Sequence, residues 1–341
     1  MTSLAAAAHA PETPATLIVS RRDVRDLMDP ADWLQAVEDG FKAAWEGLAT
    51  SPSPMAIETS GGTFHAKAAS LRLDGNFVAL KLNGNFPGNP DRLGLPTIQG
   101  AILLCDGETG SLLAVMDSIE VTLRRTAAAT ALAARFLARR ESSSILVCGC
   151  GEQGAAQLAA LREVLPLARG LAWDRGSGGA DAFATEAAGA GIAVTAVTDL
   201  AAAARASDVI VTCTTALSPF LDAAMVSPGT FIAAVGADSP DKNEVHPELM
   251  AKAQVVADVL DQCAAMGDLH HAIRAGSMSR DDVHAELAEL VGGSKPGRVS
   301  EDAITLFDST GTAVQDVASA ALIYRRALAD GGRLAIALGQ G

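Results

Sequence analysis

Basic residues are scarce in this 341-residue chain: 26 lysines and arginines against 40 aspartates and glutamates leave a formal net charge of −14 at pH 7. Such a field repels phosphate backbones and anionic membrane surfaces, which excludes nucleic-acid or lipid binding by a basic face. An anionic substrate must therefore be collected by particular lysines and arginines. Cysteine is sparse as well. Cys105, Cys148, Cys150, Cys213 and Cys263 form no CxxC pair, and no matching histidine pair follows Cys148 and Cys150. They are expected to be reduced thiols in or near cores. His270 and His271 stand side by side without metal spacing to acids, so no metal site is expected. No apolar run approaches the roughly 18 residues that span a bilayer. The opening stretch, MTSLAAAAHAPETPAT, lacks the basic start and apolar core of a secretory signal and reads as a flexible tail. Internal repeats and low-complexity linkers are missing too. These absences leave a cytoplasmic globular protein as the expectation.

What is present is material for large cores. Hydrophobic residues make up 49% of the chain and charged residues 19%, with a mean hydropathy of +0.24. The length suggests two domains. From about residue 144 to 260, short apolar runs alternate with helical segments: SILVCG, GLAWD, IAVTAV, DVIVTCT, FIAAVG and QVVADV. That alternation is the signature of a parallel α/β sheet, and six such strands predict a doubly wound domain of the Rossmann type. The N-terminal part differs. Residues 29–49 form an amphipathic helix with Asp29 as cap and Pro30 at its first position. Strand-like pieces follow: TFHAKAASLRL, FVALKLNGNF and the hairpin TIQGAILLCDGETGSLLAVMD. A long helix over 120–140 leads into the first Rossmann strand, and another over 312–332 follows the short strand AITLFD. The division expected is an α+β domain made of residues 1–141 plus 310–341, interrupted by a Rossmann domain over 142–309.

The chemistry begins at Gly149-Cys150-Gly151-Glu152-Gln153-Gly154, a G-x-G-x-x-G between strand and helix. Gly149 permits the tight turn, Gly151 lets backbone amides approach a pyrophosphate, and Gly154 allows the helix to pack close. Asp174, 25 residues beyond Gly149, ends the second strand, where a carboxylate accepts from ribose hydroxyls. That favours NAD, although the adjacent Arg175 would suit the extra phosphate of NADP. Cys213, Thr214 and Thr215 end the fourth strand, where they line the crevice or simply close the strand. Val235 ends the fifth, on the cofactor side. Asp238 follows it at the carboxyl edge of the sheet, as a site residue or a turn aspartate. Outside this domain, Lys81 alternates with apolar neighbours on a strand, free to snorkel to solvent or to act buried. Arg124 and Arg125 open the linking helix, where a solvated face is the usual outcome.

Together these segments resemble the ornithine cyclodeaminase/μ-crystallin family over about residues 20 to 330. The resemblance rests on KLNGNFPGNPDRLGLPTIQGAILLCDGETGSLLAVMDSIEVTLRRTAAATALAARFLAR, GCGEQG, AAVGADSPDKNEV and ITLFDSTGTAVQDVASA. It implies a homodimer, with a split substrate and dimerisation domain around the Rossmann domain. It also implies hydride transfer between a nicotinamide cofactor and the α-carbon of a small amino or imino acid. On that resemblance Lys81 and Arg125 hold the substrate carboxylate, and Lys81 belongs with Asp238 to the catalytic set. Thr97 contacts substrate or nicotinamide ribose, and Asp238 handles the amino or imino nitrogen and its proton. There are departures. Met55 stands near a position where many cyclodeaminases carry an arginine as a further carboxylate contact, so Met55, His65 and Lys67 are expected among the substrate-binding residues. His65 and Lys67 occupy the strand on which those enzymes place an acid, which is associated with a distal amine. A positive Lys67 is a poor partner for a second ammonium and a plausible one for a second carboxylate or a carbonyl. The reading is an NAD(P)-dependent imine reductase or amino-acid dehydrogenase. The alternatives are an ornithine cyclodeaminase, an ammonia lyase with bound NAD, and a non-catalytic μ-crystallin-like binding protein.

Overall fold

Sixteen strands divide into two sheets in a computed structural model that describes residues 15–176 and 178–338. The tail expected at the start of the chain lies, up to residue 14, outside the described residues. The first sheet comprises β1 (Thr16–Val19), β2 (Ala49–Thr50), β3 (Met55–Glu58), β4 (Thr63–Leu73), β5 (Gly75–Asn85), β6 (Ile98–Asp106) and β7 (Leu112–Asp117). The second comprises β8 (Ser144–Cys148), β9 (Arg169–Trp173), β10 (Val194–Ala196), β11 (Val209–Thr212), β12 (Phe231–Ala234), β13 (Gln254–Ala257), β14 (Ala285–Glu286) and β15 (Thr305–Asp308). The last strand, β16 (Leu334–Ile336), returns to the edge of the first sheet, beside β1.

The second sheet is wholly parallel, in the order β10-β9-β8-β11-β12-β15-β13-β14. Its order reverses between β8 and β11, which opens a crevice at the carboxyl ends of those strands. Six strands were expected here and eight are found. β14 is only two residues long and carries no periodicity to detect. β15 slots between β12 and β13, although it follows both in sequence, so the central β12–β15 pairing is invisible to a linear scan.

The first sheet is mostly antiparallel, in the order β16-β1-β7-β6-β5-β4-β2, with β3 also on β4. Strand alternation gives it two unlike faces. One carries Ala69, Leu71, Ala79, Ile102 and Leu104, all buried. It is covered by the helices Pro30–Trp45, Ser118–Leu137 and Ala313–Asp330. Each large apolar side chain on it contributes about 1.5–3 kcal/mol by leaving water. The other face carries Met55, Ile57, Leu80, Leu82 and Leu103, all exposed in the single chain.

Local signals fix the helices that matter. Asp29 caps Pro30–Trp45 by accepting from Asp32 N at 3.0 Å, and Asp32 returns the bond to the backbone of Asp29. Asp117 caps Ser118–Leu137 by accepting from Glu120 N at 2.8 Å. That helix joins the two sheets, and Arg298 Nε donates to Leu137 O at its end, at 2.9 Å. No described helix is long and apolar enough to cross a membrane.

Candidate active site

The glycine loop sits where β8 meets the helix Glu152–Arg162. Gly149 has φ +102°, and a Cβ there would stand 2.8 Å from Cys213 O. A Cβ on Gly154 would stand 2.3 Å from Gly149 O, so this glycine lets the helix press against the loop. Gly151 faces open space and is the helix N-cap without a side-chain cap, so the first amides of the helix have no side-chain acceptor. A cavity of about 310 Å³ lies against this loop, lined also by Asp174, Arg175, Cys213, Thr214 and Thr215. Asp174 Oδ2 accepts from Cys150 N and Oδ1 from Gly176 N, both at 3.1 Å. Its carboxylate therefore stands at the loop's edge, and Arg175 beside it is exposed. Amides, open space and a carboxylate at the loop's edge together fit a dinucleotide. Glu152 and Gln153 form the first helical turn, and Val235 lies at the end of β12, with its amide on Thr212 O at 2.8 Å. All five cysteines are free. Burial pushes Cys150 up to about 11 and Cys148 and Cys213 well above their ordinary value, so these are packing thiols.

The second half of the site is assembled from three elements of the other sheet's helix-covered face. β4 and β5 pair so that Lys67 stands opposite Lys81. Lys81 is not at the surface: it is 4% exposed, and Arg125 is 3% exposed. The snorkelling and solvated-face readings are thereby excluded for these two. They do describe Arg124, whose half-exposed side chain pairs with Glu120 at 2.9 Å. Lys81 Nζ and Arg125 Nε converge on Asp316, at 2.8 Å and 2.9 Å. Burial and then the Arg125 guanidinium bring Lys81 down to about 7, against the pull of Asp316, with Lys67 adding to the fall. Lys67 is lowered as well, by burial and then by Arg125. Its ammonium donates to Thr310 O at 3.0 Å and Gly311 O at 2.8 Å.

Asp238 lies past the end of β12, its side chain about half exposed, and its Oδ1 accepts from Lys242 Nζ at 2.6 Å. Burial pushes its carboxyl up, but the Lys242 charge and hydrogen bond, then Lys67 and His65, hold it below the usual carboxylate range. His65 is lowered mainly by burial, with Asp238 opposing and Lys67 reinforcing that fall. His65, Lys67, Asp238 and Lys242 thus share one electrostatic neighbourhood, beside the carboxyl ends of β11 and β12.

Not every expected residue joins them. Met55 pairs with Ala66, whose side chain lies on the face opposite Lys67, and is itself exposed there. The substrate contact expected of it finds no support in this placement. Thr97 lies just before β6, with its carbonyl accepting from Phe86 N at 2.7 Å, at the same end of the sheet as Lys67. Three residues went unforeseen. Asp316 and Gln315 open the C-terminal helix and hold Arg125. Glu244, fully buried, accepts from Thr214 N and Oγ1 at 2.6 and 2.7 Å and from Gly236 N at 2.9 Å. It ties the ends of β11 and β12 into one crevice wall. Burial raises its carboxyl, against those hydrogen bonds.

Comparison with known proteins reaches the whole of this assembly. The model of the ornithine cyclodeaminase/mu-crystallin family matches residues 15–331. The alanine dehydrogenase of Archaeoglobus fulgidus is 39% identical over 313 residues, covering 92% of this chain and 95% of that protein. An archaeal alanine dehydrogenase dimer solved with bound NAD superposes with a TM-score of 0.89 at 38% identity, over 94% of this chain and 98% of that one. The Δ1-pyrroline-2-carboxylate reductase of Thermococcus litoralis, solved with NADH and L-proline, superposes with a TM-score of 0.90 at 32% identity, over 94% and 99%.

Proposed function

Because this chain belongs to the ornithine cyclodeaminase/μ-crystallin family, we propose that it transfers hydride between a nicotinamide dinucleotide and the α-carbon of a small imino or amino acid. The observation that carries the reading is the convergence of Lys81 and Arg125 on one buried point, with Lys67 opposite Lys81 and electrostatically coupled to both Arg125 and Asp238. NAD is the cofactor of choice: Asp174 stands at the edge of the glycine loop, where a carboxylate would accept from ribose hydroxyls, and similar structures hold NAD or NADH. The bound nicotinamide supplies or accepts the hydride.

The chain's own residues do the rest. Lys81 and Arg125 offer two cations to a carboxylate, which fixes the plane of the substrate and the face it presents. Asp238 stays ionised, so it balances the positive charge of an iminium and accepts or returns the nitrogen's proton. The walls of the crevice keep that charge in a medium where it counts for more than in water. Lys67 spends its ammonium on two backbone carbonyls in the position where a cyclodeaminase is expected to keep an acid. This weighs against a substrate with a distal ammonium group and for a cyclic ketimine or a small keto acid with ammonia.

The test is NAD(P)H oxidation with cyclic ketimines such as Δ1-pyrroline-2-carboxylate, and with small keto acids plus ammonia. Turnover of at least one supports the reading, and no oxidation with any of them sinks it. Release of proline and ammonia from ornithine with no change in NADH absorbance would establish a cyclodeaminase instead.

The working form is a homodimer, for which the exposed apolar sheet face of Leu80, Leu82 and Leu103 is the fitting surface. The dimeric alanine dehydrogenase named above supports this assembly.

A further inference from the structure

The first turn of the helix Ala313–Asp330 carries polar groups that the clamp as described leaves without work. Asp316, 1% exposed, accepts from Lys81 on β5 and from Arg125 on the linking helix. One carboxylate from a third element therefore orients both cations. Gln315, equally buried, accepts through Oε1 from Arg125 Nη1 at 2.6 Å. A guanidinium can only donate, so this bond settles which end of the amide is oxygen. Gln315 Nε2 is then buried beside Arg125 and has no partner among the described residues. Thr312 Oγ1, at the N-cap of the same helix, is also buried and unpaired, and makes no capping bond. Gly311, with φ +75°, lets the guanidinium lie on the backbone, since a Cβ there would stand 2.6 Å from Arg125 Nη1. Buried donors without acceptors are rare in native proteins. Here they gather at the N-terminus of an 18-residue helix, where backbone amides add partial positive charge, next to two full cations. With Asp316 shared between two cations, what such a set lacks is a second anion.

We propose that this turn forms the third wall of the substrate's carboxylate site, with Asp316 as positioning residue for Lys81 and Arg125 and Gln315 Nε2 as a further, uncharged donor to the carboxylate. The inference rests on the hydride-transfer reading for the identity of the anion. The groups that face Lys81 are Thr122 and Arg125 from the linking helix, Lys67 from β4 and Asp316 from the C-terminal helix. Asp316 is the anion among them and favours the charged ammonium, so it also sets the pH range over which the clamp holds its charge.

The experiment compares wild type with Asp316→Asn, Gln315→Ala and Gln315→Glu, measuring KM and kcat for imine reduction across neutral and mildly alkaline pH. Asp316→Asn is expected to raise KM at neutral pH about tenfold or more, with kcat changing less than about threefold, since two charge-assisted bonds lose their anchor. The pH above which its KM climbs should lie below that of wild type, a shift that loss of packing alone would not produce. Gln315→Ala should raise KM roughly fivefold, as expected for one neutral donor. Gln315→Glu should raise it further, because its carboxylate competes with the substrate for Arg125. Calorimetry with pyrrole-2-carboxylate, a planar carboxylate that cannot be reduced as an imine, on NADH-loaded protein should give the same ranking. NADH affinity should not change. Unmoved KM and probe affinity in both Gln315 variants would overturn the proposal, as would an Asp316→Asn defect that falls equally on NADH binding. Should Asp316→Asn fail to fold, the Gln315 pair decides. If wild type reduces no imine yet binds the probe with this ranking, the reaction assignment fails and the carboxylate site stands.

Discussion

Lys242 Nζ lies 2.6 Å from Asp238 Oδ1, four residues along the turn that follows β12. The half-exposed Asp238 carboxyl is thus held below its usual range by a cation outside the substrate clamp. Lys242→Met removes the largest influence opposing burial, so the Asp238 carboxyl must rise toward the value burial alone would give. A protonated Asp238 cannot balance an iminium. The acid limb of the kcat/KM profile is therefore expected to move to higher pH in this variant, while activity on the alkaline side holds. Asp238→Asn should lower kcat by about 10² to 10⁴ with NADH binding intact. An acid limb that stays in place after Lys242→Met would refute the assignment.

A second pH dependence belongs to Lys81, which burial and Arg125 bring down to about 7. Below that pH the ammonium is charged and the clamp is complete; above it the charge is lost and one charge-assisted hydrogen bond goes with it. KM for the imino acid should be flat on the acid side and rise about ten- to a hundredfold on the alkaline side, the worth of one such bond. Lys81→Met should show the high KM at every pH. Steady-state kinetics across the range, with kcat recorded separately, checks both.

Away from the clamp, Asp308 links pH to stability. Burial raises its carboxyl to about 7, with Asp258 and Glu244 adding to the effect against the amides of Leu269 and Asp268. Its ordinary value is 3.8. Between these values the folded chain keeps a proton that the unfolded chain has lost. The resulting stabilisation is full below about 4 and is lost as the pH rises through about 7. Asp268, held well above its ordinary value by burial and by Asp308, acts in the same direction. Thermal midpoints followed by circular dichroism should decline across this window, and Asp308→Asn should flatten the decline whatever it does to the absolute midpoint. An unaltered slope in the variant would assign the titration elsewhere.

The parts of this arrangement legible in the sequence are those whose signal is local. The glycine loop, the Asp29 cap, the DGETG turn and the alternation around Lys81 each announce themselves within a few residues. The cavity beside the glycine loop could be located from the loop and Asp174 together. Asp316, Gln315 and Glu244 could not, because a buried acid or amide on a helix or loop looks like any surface residue until its partner is known. Asp316 stands 235 residues from Lys81 and 191 from Arg125. The strongest hint available was an aspartate in the first turn of a helix, which is also an ordinary way to favour a helix N-terminus. Met55 is the converse case: the period of two in its strand turns it to the face away from Lys67.

That other face yields the last prediction. Leu80, Leu82 and Leu103 sit on adjacent strands β5 and β6, with Met55 and Ile57 beyond them on β3, and all are exposed in the single chain. An apolar surface spread over neighbouring strands is what a partner subunit covers. Leu82→Asp would place a charge in its middle. Because Leu82 is exposed, the substitution should cost the lone chain's fold little, within about 0.5 kcal/mol. In a dimer the same carboxylate would be buried without a partner, weakening association by about 2 kcal/mol or more. Sedimentation velocity is expected to show dimers for wild type at micromolar concentration and mostly monomers for Leu82→Asp, with matching far-ultraviolet circular dichroism. A Leu82→Asp protein that remains dimeric would place the interface elsewhere, and a monomeric wild type would remove the dimer altogether.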